Sequence, residues 1–391
     1  MVLLFFARAL SNVVFTMSIA AFPTYVILRY GAEGALTGFA GGAFALGIFF
    51  GRIVSGGYMD RLGRRRSMYA TGILCIGFTL VYQFAMPIGL FLVLLVIHGL
   101  LHGMFANIIM AASTDLIPKE RLGEGLGWLS LAITISMGLG PYLGLWALQD
   151  NNYSLLFFLC TGFMVVGVFC TFFLDKGPID AGQQRSLAAE AETAAKSGPV
   201  PGWKRLLQHF FEKSAVPGAI LIFLLTICST SVNSFLSPFA VERGFGEAAQ
   251  WYFAVYSIML LITRPATGKL MDKYGDKVVI YPMMALFIVA LLVIANMQGP
   301  AWIIAAAVLM AFGFGAQFPV LQAIAVRKSM GARVGVATST FFVLSDFATG
   351  MGPAMTGALV PYMGYAGMYL FCVAIVVAAI LFYTFVATKQ Q

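Results

Sequence analysis

A duplication constrains this 391-residue chain more than any other feature of its sequence. Six residues recur at a constant offset of 212 positions without a gap, as the pairs Arg52 and Arg264, Gly56 and Gly268, Asp60 and Asp272, Gly63 and Gly275, Arg121 and Arg333, and Pro141 and Pro353. Because the chain is very apolar, the repeat predicts two homologous halves embedded in a membrane. Such halves are typical of secondary transporters, which bind their substrate between the repeats.

The composition excludes an ordinary soluble protein. Hydrophobic residues make up 60% of the chain and charged residues only 10%, whereas a soluble domain has about 25% charged residues. The net charge of +8 does not indicate nucleic-acid binding, because the basic residues lie in short loops between apolar segments. The lipid bilayer is therefore the predicted partner, and no nucleic acid is expected.

Twelve apolar segments are each close to the roughly 20 residues that a membrane helix needs. Numbered as spans 1 to 12, they cover residues 3–28, 34–58, 67–86, 88–112, 124–148, 153–174, 214–241, 248–271, 278–297, 300–325, 333–361 and 365–387. We therefore predict an all-α membrane protein of two pseudo-symmetric six-helix bundles. The predicted boundaries are residues 1–176 for the first bundle, 177–213 for a polar connector, and 214–391 for the second.

Basic residues predict the orientation of the chain. Eleven lysines and arginines lie in the loops on one side and six more lie in residues 175–213, which include the connector, whereas only Arg29 and Arg243 lie on the other side. Since positive loops stay in the cytoplasm, both termini and the connector are predicted to be cytoplasmic. A bacterial-type inner membrane is the expected location.

The loop between spans 2 and 3 resembles the signature motif of the major facilitator superfamily, with the sequence Gly56-x-x-x-Asp60-Arg61-x-Gly63-Arg64-Arg65. The second half carries a weaker copy, which begins with Gly268, Asp272 and Gly275 and departs from the motif at Asp276, where a basic residue is usual. The resemblance covers the whole chain and implies the major facilitator fold.

The physics of this motif suggests a conformational role. Gly56 allows a neighbouring helix to come close, and Gly63 permits a tight turn. Asp60 is an anion suited to a helix N-terminus, and the resemblance implies that this is the start of span 11, near Arg333. Such a contact would join the two halves on the cytoplasmic side and hold the outward-facing state.

Span 5 carries a second family feature, the run Gly138-Leu139-Gly140-Pro141-x-x-Gly144, and span 11 echoes it around Gly352 and Pro353. The run is similar to a Gly-Pro motif in antiporters of the superfamily, which implies export. Glycine keeps one helix face thin, and proline bends the helix. A generic packing face with a kink is the alternative interpretation.

Span 4 departs from the antiporter pattern. Antiporters of the family commonly have an arginine followed four residues later by Gln-Gly, whereas this chain has His98 and then His102-Gly103. Histidine can take over proton coupling because it titrates near neutral pH. The two histidines are interpreted either as polar residues that face the cavity or as packing residues held by hydrogen bonds, and both interpretations remain open. A zinc site would need a third ligand, so no metal is predicted, and the five cysteines are interpreted as small core residues.

Asp346 is the main candidate for proton coupling, since it lies midway along span 11 with no charged residue within ten positions. A carboxylate there must find a partner, contact water or stay protonated, so a structural hydrogen bond is the alternative. The resemblance implies that spans 1, 4, 7 and 10 line a central cavity. The predicted substrate-binding residues are accordingly Asn12, Thr16, His98, His102, Asn233, Ser237, Gln317 and Gln322.

The function predicted from the sequence is proton-coupled export of a small polar or amphipathic molecule by a monomer. The chain has no phosphate-binding GxxxxGK[ST] run and no catalytic constellation, so neither an enzyme nor a cofactor is expected. Residues 115–144 are similar to exporters of opine-type metallophores. The alternative is a proton-coupled symporter that imports a sugar, an organic acid or a peptide. A passive channel, a lipid-scrambling protein and a membrane enzyme fit the sequence less well.

Overall fold

The computed structural model describes residues 2–84, 86–117, 122–149, 153–174, 177–184, 215–327 and 334–388. Within these ranges only the backbone is described for residues 56–62, 114, 122–127, 130, 264–266, 268–269, 272, 319, 323, 325–327, 334–336, 338–339 and 386–388.

The described residues form an all-helical protein. The first half contains six long helices: α1 Val2–Tyr30, α2 Gly34–Leu62, α3 Arg64–Val81, α4 Ile88–Leu116, α5 Leu122–Leu148 and α6 Tyr153–Phe172. The second half contains α7 Val216–Glu242, α8 Ala249–Tyr274, α9 Asp276–Ala295, α10 Pro300–Met310, α11 Gln317–Arg327, α12 Val334–Gly357 and α13 Val360–Thr388. A short helical segment also covers residues 177–184, inside the predicted connector.

Every predicted span coincides with a helix, which confirms the all-α prediction. Span 10 is formed by α10 and α11, which are joined through the π-helical segment Ala311–Gly315. Among the described residues, nine helical stretches are long and apolar enough to cross a membrane. Spans 3, 8 and 11 are the helices α3, α8 and α12, which fall outside those nine.

Large apolar side chains cover the outer faces of the peripheral helices. On α6 these exposed residues are Phe158, Val165, Val166, Phe169 and Phe172, and on α13 they are Leu370, Phe371, Val377, Leu381 and Phe385. Extended apolar surfaces of this kind are characteristic of contact with a membrane. The hydrophobic effect therefore favours burial of these faces in lipid.

The chain forms two compact units. The first comprises Met1–Ser18 and Ala43–Gly202, and the second comprises Ile19–Gly42 and Trp203–Gln391. The second unit thus includes the end of α1 and the start of α2. There α2 packs against α12, where a Cβ atom on Gly42 would overlap the carbonyl oxygen of Gly350. Only glycine permits the two backbones to come this close.

Both copies of the duplicated motif contain a glycine-dependent turn. Gly63 lies between α2 and α3 with a φ of 96°, and Gly275 lies between α8 and α9 with a φ of 82°. A positive φ is unfavourable for residues that carry a Cβ atom. The repeat therefore preserves the residue that allows each pair of consecutive helices to be joined without a longer loop.

Candidate functional site

The Gly-Pro motif of α5 forms a close contact with α1 in the first unit. A Cβ atom on Gly140 would overlap the Thr16 hydroxyl and lie 2.6 Å from the carbonyl oxygen of Val13. Thr16 Oγ1 donates to the carbonyl oxygen of Ser136 at 2.7 Å, and Ser136 Oγ donates to that of Ala9 at 2.8 Å. These hydrogen bonds tie α1 to α5, so the Thr16 hydroxyl already has protein partners.

The second copy of this motif makes the equivalent contact in the second unit. A Cβ atom on Gly352 of α12 would lie 2.8 Å from Thr230 Oγ1 and 3.0 Å from Ile227 Cα of α7. The hydroxyls of Ser231 and Thr356 are 2.7 Å apart across the same pair of helices. Pro141 and Pro353, along with Gly138 and Gly144, are buried in their helices. Both copies of the motif thus hold two helices in close contact.

His98 and His102 lie in the packed interior of the first unit, with exposed fractions of only 1% and 2%. Tyr82 Oη lies 3.2 Å from His98 Nδ1, and Ser11 Oγ lies 3.3 Å from His102 Nε2. The Phe44 ring packs against both imidazoles, at centroid distances of 4.8 and 5.2 Å. This environment gives neither histidine access to water in this conformation. The sequence provided no signal for Tyr82 or Ser11 as their partners.

Asp346 is more accessible than the two histidines. Its side chain is half-buried in α12, while Ser345 beside it is buried and Phe347 is exposed. The Phe347 ring stacks on Phe223 of α7 at 6.3 Å. The Thr349 hydroxyl donates to the Ser345 carbonyl oxygen at 2.9 Å, which keeps this polar side chain on its own helix. Asp346 therefore lies between a buried and an exposed neighbour, with part of its own surface accessible.

Gln317 is the most unusual polar residue of the second unit. It is fully buried, and neither its Nε2 nor its Oε1 has a hydrogen-bond partner among the described residues. It directly follows the turn at Ala316 that ends the π-helical segment, a distortion that is frequent at functional sites. An unsatisfied buried amide is costly, so this position suggests a role that a packing residue would not require.

The other predicted substrate-binding residues are distributed over both units. Asn12 in α1, Asn233 in α7 and Gln322 in α11 are half-buried. Ser237 is buried, and its Oγ accepts a hydrogen bond from Thr24 Oγ1 at 3.3 Å within the second unit. The half-buried side chains are available for further contacts, and their assignment as substrate ligands stays a prediction.

The sequence profile of the Major Facilitator Superfamily matches residues 4–249 and 218–391. The chain belongs to the major facilitator superfamily. It is therefore a multi-pass membrane transporter and not an enzyme. Multidrug resistance protein MdtG of Salmonella schwarzengrund is 24% identical over 377 residues, which cover 93% of this chain and 89% of MdtG. MdtG of Salmonella typhi matches with the same identity and coverage.

Solved transporter structures share the fold. The nucleoside transporter NupG superposes with a TM-score of 0.77 at 13% identity, over 98% of each chain. A POT family transporter in complex with 5-aminolevulinic acid also gives a TM-score of 0.77, at 16% identity, over 99% of this chain and 96% of its own. At these identities the likeness establishes the architecture alone.

The arginines of the superfamily's signature motif contact the end of α4 and the start of the connector, within the first unit. Arg64 forms an ion pair with Asp115 at the end of α4, and its backbone nitrogen donates to Gln183 Oε1 at 3.1 Å. Arg65 NH1 lies 3.1 Å from Asp180 Oδ2. The structure describes only the backbone of five further motif residues, Gly56, Asp60, Arg61, Gly268 and Asp272, and Arg333 lies outside the described residues. Their predicted conformational contact stays a prediction.

The two arginines are expected to differ in their contribution to stability. The Arg64 and Asp115 side chains are 10% and 16% exposed, whereas those of Arg65 and Asp180 are 33% and 50% exposed. Arg64→Gln should cost about 1.5–3 kcal/mol because a largely buried carboxylate loses its charged partner. Arg65→Gln should cost less than about 1 kcal/mol because water screens the pair. Thermal unfolding of the purified variants measures both effects, and equal losses would contradict this ranking.

Proposed function

We propose that this protein exports a small polar or amphipathic molecule from the cytoplasm in exchange for protons. The observation that carries the proposal is the half-buried carboxylate of Asp346 in the middle of α12. The similarity to the MdtG multidrug resistance proteins supports the direction of transport. The protein is proposed to act as a monomer in the bacterial inner membrane.

The proton-coupling role follows from the cost of charge inside a membrane. An ionised carboxylate is expensive in hydrocarbon unless it is hydrated or paired. Its protonation should therefore change as alternating access exposes Asp346 to water on one side and then withdraws it. A proton that moves down a potential of 100 mV releases about 2.3 kcal/mol, which is sufficient to drive uphill export of a neutral molecule by about 50-fold.

Gln317 is the strongest candidate for substrate binding in the second unit. It is the first residue of α11, and Asp346 lies in the middle of α12, so both belong to helices of the second unit. A polar group of the substrate would satisfy the Gln317 amide, with Asn233 and Gln322 as additional proposed contacts.

Alternating access is proposed to use the packing of α2 on α12. In the second unit Gly38 and Gly42 of α2 lie against Pro353 and Gly350, and Thr24 of α1 is hydrogen-bonded to Ser237 of α7. By the charge asymmetry of the loops, this end of the helices faces the cell exterior. We propose that the contact forms when the exterior side is closed and separates when it opens.

Import by proton symport, the alternative predicted from the sequence, is the second candidate, because the fold shared with nucleoside and POT family transporters does not fix the direction of transport. Inverted membrane vesicles with an acidic lumen distinguish the two. An antiporter exporter will accumulate substrate in the lumen as protons leave. A symporter will instead lose preloaded substrate from the lumen, and that result would overturn the proposed direction.

The proposed orientation makes a labelling prediction. A cysteine introduced by Ser186→Cys in the connector is expected to be unreactive toward an impermeant thiol reagent in intact cells and reactive after permeabilisation. Glu247→Cys provides the matched control, because Glu247 is exposed between α7 and α8, on the side that the charge asymmetry predicts to be exterior. It should label in intact cells. Labelling of the Ser186→Cys protein before permeabilisation would reverse the assigned topology.

A further inference from the structure

Three side chains that commonly bind metal ions converge in the first unit. Cys75 of α3 and both histidines of α4 are each at most 2% exposed, and one ligand atom from each lies within 4.8 Å of the others. The sequence suggested only the two histidines, which share a helix face because they are four residues apart. The third ligand, Cys75, is brought to them by the packing of α3 against α4.

The hydrogen bonds of the two imidazoles leave one nitrogen of each available. Tyr82 Oη bonds to His98 Nδ1, and Ser11 Oγ bonds to His102 Nε2. The remaining nitrogens, His98 Nε2 and His102 Nδ1, are buried and have no partner among the described residues. Histidines that bind metals characteristically use one nitrogen for the ion and the other for an orienting hydrogen bond. Tyr82 and Ser11 would serve this orienting role.

The geometry requires only a small adjustment to hold an ion. Metal–nitrogen bonds of about 2.0–2.1 Å and metal–sulfur bonds of about 2.3 Å give separations of about 3.6 Å between ligands in a trigonal site. The three ligand atoms already lie within 4.8 Å of one another. The ligand atoms would therefore have to approach one another by about 1 Å to reach bonding distance.

The surroundings discriminate between ions by charge. Phe44 packs against both imidazoles and Phe78 stacks on His98 at 5.7 Å, so aromatic rings surround the two histidines. Arg8 and Arg52 interact electrostatically with His102 and add positive charge nearby. A site with no net charge is therefore favoured over a positively charged one. A cysteine thiolate neutralises a monovalent cation, whereas it leaves a divalent ion with one excess positive charge.

We propose that Cys75, His98 and His102 form a buried Cu(I) site. Thiolate and imidazole are ligands that suit Cu(I), and structural Zn(II) sites are almost always four-coordinate. On binding, the Cys75 thiol releases its proton to solvent and its sulfur coordinates the ion, with no change in oxidation state. The ion would tie α3 to α4. This assignment is independent of which substrate the protein transports.

The test is Cu(I) binding to the full-length purified protein in lipid nanodiscs, under anaerobic reducing conditions and in competition with a chromogenic Cu(I) chelator. Cys75→Ser is expected to weaken binding by at least about 100-fold, since it removes the only sulfur ligand. Cys160→Ser and Cys228→Ser are matched controls, because each removes a different buried thiol. Wild-type affinity in the Cys75→Ser protein, or loss of binding only in a control variant, would overturn the site.

Two further measurements identify the ion and its ligands. X-ray absorption of the Cu(I) protein should give one sulfur and two nitrogen neighbours. Tyr82→Phe and Ser11→Ala retain all three ligands and are expected to lower Cu(I) affinity by about 10–100-fold, which keeps the test informative if Cys75→Ser does not fold. Unchanged affinity in both variants, or stoichiometric Zn(II) binding without Cu(I) binding, would contradict the proposal.

Discussion

Asp346→Asn is expected to abolish uphill transport while it preserves substrate binding and downhill exchange. Asparagine matches the size of aspartate and keeps part of its hydrogen bonding, but it cannot carry the exchanged proton. In proteoliposomes with an imposed pH gradient, the variant should transport no faster than it does without the gradient. The wild-type protein should be accelerated by the gradient. Asp346 is half-buried in α12, so the substitution should not destabilise a tightly packed core.

Asp346→Glu provides the control, because it restores a carboxyl group at a slightly different position. Partial recovery of gradient-driven transport is expected. If the Asp346→Asn protein still concentrates substrate at the wild-type rate, Asp346 is not the coupling group. His98 and His102 would then be the next candidates for proton coupling. Their variants would also lose ligands of the proposed Cu(I) site, so Cu(I) binding would be measured separately from transport.

Gly42→Ala is expected to impair transport severely by preventing the close packing of α2 on α12. The new Cβ atom would overlap the Gly350 carbonyl oxygen and lie 2.8 Å from its carbonyl carbon. Because the contact is with backbone, no side-chain rotation can relieve it. Overpacking of this kind costs about 1–3 kcal/mol, and each 1.4 kcal/mol changes a conformational population about 10-fold. Gly38→Ala should act in the same direction, since its Cβ would overlap the Pro353 carbonyl oxygen.

Two other glycines provide matched controls for this substitution. A Cβ atom added to Gly77 of α3 or to Gly162 of α6 would have no neighbouring atom within 4 Å, so Gly77→Ala and Gly162→Ala should transport normally. Substrate flux and the reactivity of cysteines introduced near the exterior ends of the helices are the measurements. Greater reactivity in Gly42→Ala is expected if the closed exterior state is destabilised. Flux equal to that of Gly77→Ala would refute the proposed role of this packing.

The sequence by itself determined the membrane class, the helical segments and the duplication. A bilayer accepts spanning helices because their backbone hydrogen bonds are satisfied internally, so apolar length alone predicts where they lie. The span predicted at residues 88–112 therefore matches α4, Ile88–Leu116, closely. The π-helical segment Ala311–Gly315 inside span 10 had no such signal, because its residues are as apolar as those of a regular helix.

Only the tertiary structure decided which side chains meet. In a soluble protein the polar residues of a helix mark its exposed face, so the opposite, apolar face is known to be buried. In a membrane both the lipid-facing and the core-facing residues are apolar. The hydropathy of a membrane helix therefore does not encode its rotation about its own axis. The Thr16 hydroxyl bonds to the Ser136 backbone across 120 positions of sequence, while its contact with substrate stays a prediction. Cys75 is a buried core residue, as the sequence predicts, and the packing of α3 on α4 also places it beside two histidines. Such contacts depend on how helices pack, which becomes fixed only when the bundle is assembled.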